Sequence, residues 1–461
     1  MPKNIFAGVG ISKADDAFTA GKEAVEMAMQ EMKKQGGKNP TFGLVFCSGG
    51  KYGKDDKTVQ KLVDGAHLVF GDTPWVGCTT CGEISNYGAT ENSCVACVIS
   101  SDYLQIGIGI GNEVHKDPMK AGRTAAQQAV KNLRREKIVT PYLRYIAEKR
   151  KTSAELMRMY SYFILLFSPG LVMDVNGMED GVLEGVCEVI GKQTPIIGGT
   201  AGDDARLIKN YEFADGKVYK DAAIAMAIYT GLRTGFEFGH GYTLTDETCV
   251  VTKSKDYVVH ELDGRPAVEI YAKILKMKVD ELWTPKEDIM MKMAPFAKLA
   301  TKFFSGKMDP KAIPFLSIVT TNPFGIFDIH GNIAIRLPLR VGGGKNLLFV
   351  EKVPENMVLN KLEIDPKKVV EAEENAIIGA KNDATADPKI LFIFDCSLRK
   401  IFSLGEEKLE KIIESIKKKY PDTQIIGFGS MGEFTFDRKS GPMANSTTVS
   451  VGVITDKLVT E

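Results

Sequence analysis

Long uninterrupted apolar runs are missing from this sequence. The stretch Tyr160–Val172 is cut by Ser168-Pro169-Gly170 and is too short to span a bilayer. Met1–Ala14 has no apolar signal core, so export is not expected. An excess of charge is missing too. Lysine plus arginine number 59, as do aspartate plus glutamate, so no overall field points to nucleic acid or an acidic membrane. Histidine is scarce: His67, His115, His240, His260 and His330 are the full set. There is no H-E-x-x-H metalloprotease pair. Gly342-Gly-Gly-Lys345-Asn346 lacks the spacing of a phosphate loop and reads as a hairpin turn. Phe428-Gly-Ser430-Met-Gly432 lacks the first glycine of a nucleophile elbow. Gly107-Ile-Gly-Ile-Gly111 opens no helix, so no dinucleotide site is implied, and no other cofactor is either. Together these absences leave a globular protein of the cytoplasm, with its eight cysteines reduced. At 461 residues it needs two or three domains.

What is present is repetition. Trp75-Val-Gly77-Cys-Thr79-Thr80-Cys-Gly82-Glu83-Ile84, Ile196-Ile-Gly198-Gly-Thr200-Ala-Gly202-Asp203 and Ile425-Ile-Gly427-Phe-Gly-Ser430-Met-Gly432-Glu433-Phe434 spell nearly the same phrase. Each is an apolar strand, a glycine, small polar residues, then glycine and an acid. About thirty residues upstream of each lies another apolar strand with a polar end: Phe42–Phe46 before Cys47-Ser48, Phe163–Phe167 before Ser168, and Leu391–Phe394 before Asp395-Cys396-Ser397. A helical pattern lies between, clearest at Glu406–Tyr420, where Leu409, Ile412, Ile413 and Ile416 share one face. Strand, helix and strand in some 35 residues make a βαβ crossover, whose strands are parallel and buried on both faces. The expected fold is α/β, with repeated βαβ units, a mainly parallel sheet in two halves, and extra antiparallel strands in the C-terminal half. The halves are 1–230 and 231–461. Gly231–Gly241 reads as their junction. Arg134–Tyr160 carries eight basic residues against three acids and reads as a basic helical insertion within the first half. Leu275–Gly306 reads as a methionine-rich helical extra.

Open sheets with crossovers bind ligands at the carboxyl ends of their strands, where both repeated polar clusters fall. Gly77 and Gly427 let backbone N–H groups approach a carboxylate or phosphate closely. Thr79, Thr80, Thr200 and Ser430 add hydroxyls. Arg399 suits bidentate pairing with a carboxylate, and Glu83, Asp203 and Glu433 suit an ammonium. That set of groups matches an amino-acid zwitterion, although the same glycines and acids also serve tight turns and backbone capping. Cys47, Ser48 and Cys396 stand at equivalent strand ends. A thiolate nucleophile at Cys47 or Cys396 would need a histidine, for which His240 is the candidate. Cys78-x2-Cys81-x12-Cys94-x2-Cys97 has the spacing of a four-thiolate zinc site. However, Cys94 and Cys97 lie in an apparent strand, Ser93–Ser100, where residues three apart face opposite ways. Buried packing thiols are therefore the reading and zinc the alternative.

Gly77–Ile84 with the strand Ser93–Ser100 resembles the N-terminal half of the FIST sensory module. Leu262–Ala267, Asp395-Cys396-Ser397-Leu398-Arg399 and Gly427–Phe434 resemble its C-terminal half. The resemblance covers most of the chain and implies a signal-transduction sensor inside the cell, binding a small ligand, with amino acids the suggested class. No output domain is left over, so it implies a stand-alone sensor, or one whose output is a separate protein. It assigns no catalytic residue. A cysteine-dependent hydrolase or transferase, and a scaffold docking through residues 134–160, are the alternatives.

Overall fold

The computed structural model describes residues 4–133, 162–172, 178–282, 312–400 and 406–459. The basic stretch expected at 134–160 lies outside them, as do residues 283–306 of the methionine-rich stretch. Three units of one design follow one another. The first runs β1 (Phe6–Ser12), α1 (Ala17–Lys34), β2 (Phe42–Ser48), α2 (Gly49–Tyr52), α3 (Asp56–Phe70), β3 (Trp75–Thr80), the hairpin β4 (Glu83–Ser85) and β5 (Gly88–Thr90), then β6 (Cys94–Ser100). The second runs β7 (Leu104–Asn112), α4 (Pro118–Asn132), β8 (Tyr162–Ser168), α5 (Glu179–Ile190), β9 (Ile196–Thr200), the hairpin β10 (Glu212–Ala214) and β11 (Lys217–Tyr219), then β12 (Ala222–Thr230).

The third unit opens with β13 (Leu232–His240), so the expected junction is a strand. It is then interrupted by an antiparallel half-barrel. That insertion comprises β14 (Tyr242–Lys255), β15 (Val258–Leu262), β16 (Arg265–Pro266), α6 (Ala267–Ile274), α7 (Ala312–Thr321), β17 (Phe324–Phe327), β18 (Ile333–Arg336), β19 (Pro338–Gly342), β20 (Asn346–Phe349) and β21 (Val358–Ile364). The unit resumes with α8 (Pro366–Ala384), β22 (Pro388–Cys396), α9 (Ser397–Arg399), α10 (Glu406–Lys419), β23 (Gln424–Ser430), the hairpin β24 (Glu433–Asp437) and β25 (Gly441–Asn445), and β26 (Thr448–Leu458). Helix starts follow the local chemistry. Asp16, Asp55, Asp117 and Asp365 each accept a first-turn N–H, and Pro118 and Pro366 sit where a missing N–H does no harm.

Each unit forms a sheet in the order first, last, second, third strand: β1-β6-β2-β3, β7-β12-β8-β9 and β13-β26-β22-β23. Each sheet is completed by a hairpin from another unit. Unit two lends β10–β11 to unit one, unit three lends β24–β25 to unit two, and unit one lends β4–β5 to unit three. The exchange is cyclic. Among the described residues, only β2–β3, β8–β9 and β22–β23 run parallel. The expectation of a mainly parallel sheet is therefore corrected. The three crossovers exist, but the outer strands, the returning strands and the lent hairpins all pair antiparallel. No described helix is long and apolar enough to cross a membrane.

Three helical layers cover the outside: α1 and α3 on the first sheet, α4 and α5 on the second, α8 and α10 on the third. Contact with helices explains the glycines of β7. A side chain at Gly107, Gly109 or Gly111 would strike the Ala129, Ala125 or Ala121 carbonyl of α4. The inner faces of all three sheets meet in one apolar core. At its centre Phe46, Phe167 and Phe394, equivalent residues of β2, β8 and β22, form a triangle with ring centroids 5.6, 5.9 and 6.4 Å apart. Phe428 packs against all three. Phe167→Ala is expected to cost about 3–5 kcal/mol in chemical denaturation. Adding Phe46→Ala should cost less than the sum of the single changes, because both line the same void.

Candidate functional site

The three repeated phrases meet at the carboxyl ends of the parallel strands. They do so by hydrogen-bonding one another. Thr79 N–H donates to the Tyr211 carbonyl (2.9 Å), Thr200 N–H to Gly432 (2.9 Å) and Gly429 N–H to Gly82 (2.8 Å). These three bonds are equivalent, and Cys81 N–H to Gly429 and Gly202 N–H to Thr79 reinforce them. The half-barrel packs over this face. Cys81, Leu171, Ala205, Cys396, Leu398 and Met431 share its apolar core. Between units one and three a cavity of about 10 Å³ remains, lined by Cys81, Gly82, Glu83, Asp395, Lys400 and Gly429. That is room for one water.

The first glycine of each phrase is there for packing. A Cβ at Gly77 or Gly427 would lie 1.7 Å from the carbonyl of Val45 or Ile393 on the neighbouring strand. The second glycine of unit three has another neighbour. A Cβ at Gly432 would lie 2.7 Å from a carboxylate oxygen of Glu179, at the start of α5.

Glu83 and Glu433 hold their own units together. Thr80 Oγ1 (2.7 Å) and Ser93 Oγ donate to Glu83, and Ser430 Oγ (2.6 Å) and Thr448 Oγ1 (3.0 Å) donate to Glu433. Burial pushes both carboxyls up to about 8; Asp204 adds to the rise at Glu83. Strand register identifies the third member of this set as Glu212. It faces Cys78 as Glu83 faces Phe428 and Glu433 faces Gly199. Residues 203–211 stand where units one and three each have a single glycine, so the acid is displaced along the sequence. Its signature is Glu212-Phe213, matching Glu433-Phe434. Glu212 has lost both hydroxyl donors: Ala201 replaces Thr80 and Ser430, and Ala222 replaces Ser93 and Thr448. Its carboxyl keeps backbone contacts with Ala222 and with its own amide, and burial raises its pKa well above the usual range.

Asp203 opens the 203–211 insertion and accepts the N–H groups of Leu207 (2.9 Å), Ile208 (2.7 Å) and Lys209 (3.1 Å). Ser48 donates to Asp204 (2.6 Å). Arg399 is buried, 2.7 Å from Asp395 and 3.0 Å from Glu373, and it donates to the Gly239 and Val369 carbonyls. Its guanidinium is taken up by groups of α8, β13 and the end of β22. Register places Cys47 level with Ser168 and Asp395, and Cys396 level with Ser48, one step from the equivalence expected. Burial, the largest influence, raises both thiols well above their usual range. His240 is lowered to about 4 by burial and then by Arg399, and its Nδ1 accepts from the Tyr242 N–H (3.2 Å). The four thiols with zinc spacing divide among three apolar clusters, Cys94 on the helix side of β6 and Cys97 on the core side.

Thr200, one of the hydroxyls expected at the site, and Ser168, the polar end of its strand, have Oγ1 and Oγ buried without a partner among the described residues. Two further groups, Glu179 and Glu351, were not singled out in the sequence. Glu179 is buried, its carboxyl reached by no other residue's donor among the described residues; burial, then Glu351, Asp180 and Glu433, drive its pKa up. Glu351, just beyond β20, accepts Leu337 N–H (3.1 Å), and burial raises it to about 7.

Two outcomes follow from the buried acids. A carboxyl with a raised pKa is neutral in the fold. Its contribution is complete below its unfolded value near 4.5 and drains away as pH climbs through about 8. Stability measured in urea should therefore fall by roughly 1–3 kcal/mol from pH 6 to 9, and Glu83→Gln with Glu433→Gln should flatten that slope. Restoring the lost hydroxyl with Ala222→Ser should raise stability by about 1 kcal/mol at pH 6. A loss there would mean that Glu212 needs no donor.

Comparison with known proteins agrees with the repeated phrases. A FIST N domain model matches residues 41–265 and a FIST C domain model matches residues 267–435. An uncharacterized protein of Methanocaldococcus jannaschii is 29% identical over 233 residues, which is 50% of this chain and 41% of that protein. The chain thus spans about two-fifths of the length of that curated relative. Among solved structures, cyanuric acid hydrolase from A. caulinodans aligns over 49% of this chain and 71% of its own, with 9% identity and a TM-score of 0.26. With its two domain models covering residues 41–265 and 267–435, the chain belongs to the FIST family.

Proposed function

We propose that this protein is a sensor of a small polar metabolite of amino-acid type, and that it passes the signal to a separate output protein. The ligand site is the seam between the strand-end tips of units two and three and the half-barrel above them. One observation carries this reading: polar side chains without donors or acceptors of their own gather there. Thr200 Oγ1 and Ser168 Oγ are buried and unpartnered among the described residues, and Thr200 is tied through its N–H to Gly432, which abuts Glu179. Buried polar atoms without partners are rare in folded proteins and mark places where a ligand or water completes the bonding. The tips of unit one, by contrast, satisfy themselves through Thr80, Glu83 and Ser93. Occupation of the seam would shift the half-barrel relative to the three-unit body, because both walls belong to the same site.

Thermal-shift and calorimetric screening of the twenty amino acids tests this. A ligand at a hundred times its Kd should add about 2.7 kcal/mol of stability. Ser168→Ala with Thr200→Val should weaken binding at least tenfold while leaving the unliganded melting curve nearly unchanged. Absence of binding by all twenty, or full affinity in the double variant, would remove the support for this site.

A further inference from the structure

Four acids come together at the seam from three elements. Glu179 and Asp180 open α5; Glu179 abuts Gly432, next to Glu433 of the hairpin lent by unit three, and Asp180 accepts the N–H of Lys352, next to Glu351 beyond β20 of the half-barrel. Among the described residues, their surroundings hold little positive charge. Arg336 lies near Asp180 and Glu351, but its guanidinium donates to the carbonyls of Lys352 (2.9 Å) and Ile335 (2.8 Å). Lys352 Nζ is engaged by Glu184 at 2.9 Å. The acids differ in how well they are satisfied. Glu433 takes Ser430 and Thr448, and Asp180 takes the Lys352 N–H at 2.6 Å. Glu351 takes the Leu337 N–H on one oxygen and adjoins Ser446. Glu179 alone of the four lacks any donor from another residue among the described residues, although it is 3% exposed. The Tyr257 hydroxyl nearby is also buried without a partner among them.

A buried carboxylate left with no donor is costly unless a cation or a proton meets it. Glycine at 432 leaves the Glu179 carboxylate without the clash that a Cβ there, 2.7 Å away, would make. We infer that Glu179 and Glu351 form an ammonium-binding subsite, one acid from the three-unit body and one from the half-barrel, and that the ligand carries a protonated primary amine. This rests on the reading of the seam as the ligand site and names the chemical class that it selects. Among the described residues no acid cluster has the geometry of a metal site, which favours an organic cation whose hydrogens point at separate acceptors. An ammonium held between the two acids would draw the half-barrel toward α5, and an uncharged analogue would not.

Calorimetry on the full chain tests this with three probes: the tightest-binding amino acid from the screen, its deamino analogue, and methylammonium chloride, with magnesium chloride as control. Glu179→Gln keeps the shape and removes the group that would ionise to meet a bound ammonium; Glu351→Gln serves as the second variant. Each charged contact is worth about 1.5–3 kcal/mol, so each variant should lose roughly 10- to 100-fold in affinity for the amino acid. The deamino analogue should bind wild type at least tenfold more weakly, and should bind wild type and variants alike. Equal affinity for the deamino analogue, or full amino-acid affinity in both variants, would overturn the ammonium subsite and leave the seam standing. If methylammonium alone stabilises wild type but not Glu179→Gln, the subsite stands and the amino-acid reading falls. If neither amine binds, or magnesium alone does, the subsite is refuted.

Discussion

Backbone hydrogen bonds between copies of one turn hold this molecule together. Thr79 to Tyr211, Thr200 to Gly432 and Gly429 to Gly82 are the same bond made three times around a ring. None can form within a single unit. Just beyond each ring bond the chain enters a hairpin that completes a different unit's sheet. Unpaired strand edges and buried unsatisfied amides are both costly, so each unit depends on the next for both kinds of partner. The phenylalanine triangle beneath the ring is a result of this closure, because it needs three inner faces at once.

The repeated positions have diverged according to what they face. Phe46, Phe167 and Phe394 are unchanged where they meet one another and Phe428 at the centre of the core. One residue further on, Cys47, Ser168 and Asp395 share nothing but their place at the strand end. Cys47 packs against the helices of unit one. Asp395 holds Arg399. The Ser168 hydroxyl has no partner among the described residues. The glutamates at the start of β4, β10 and β24 tell the same story. Two are held by paired hydroxyls, and Glu212 has alanines where the hydroxyls stood. Unit two has relaxed the internal bonding that the other units keep, and the unit-two end of the seam is where unpartnered groups gather.

The sequence carried the repeats plainly, since apolar strands, crossover helices and glycine phrases recur at fixed spacing. It could not carry strand direction. The crossovers are parallel, and the returning strands β6, β12 and β26 look like any buried strand until their partners are known. Nor could it reveal the exchange of hairpins, which is a long-range pairing with no local signature. At the site, Thr79, Thr80, Glu83, Ser430 and Glu433 could be picked out because small polar residues after an apolar strand are conspicuous. Arg399 was equally conspicuous, yet the structure turns it toward Asp395 and Glu373. Glu212 was hidden by the nine residues 203–211, and Asp203 stood in its apparent place. Glu179 and Glu351 lie on elements outside the repeated phrase, so only folding brings them beside it.

The cyclic loan of hairpins also sets an order of events on the ribosome. The sheet of unit two waits for β24 and β25, which lie more than two hundred residues downstream of β9. Until residues 433–445 emerge, the exposed edge of β9 has no partner, and the sheet of unit three accepts a hairpin made long before. The cyclic exchange is therefore complete only once β24 and β25 have been made. A chain stalled before that point carries an open β-edge, the feature that molecular chaperones and unwanted strand pairing both act on.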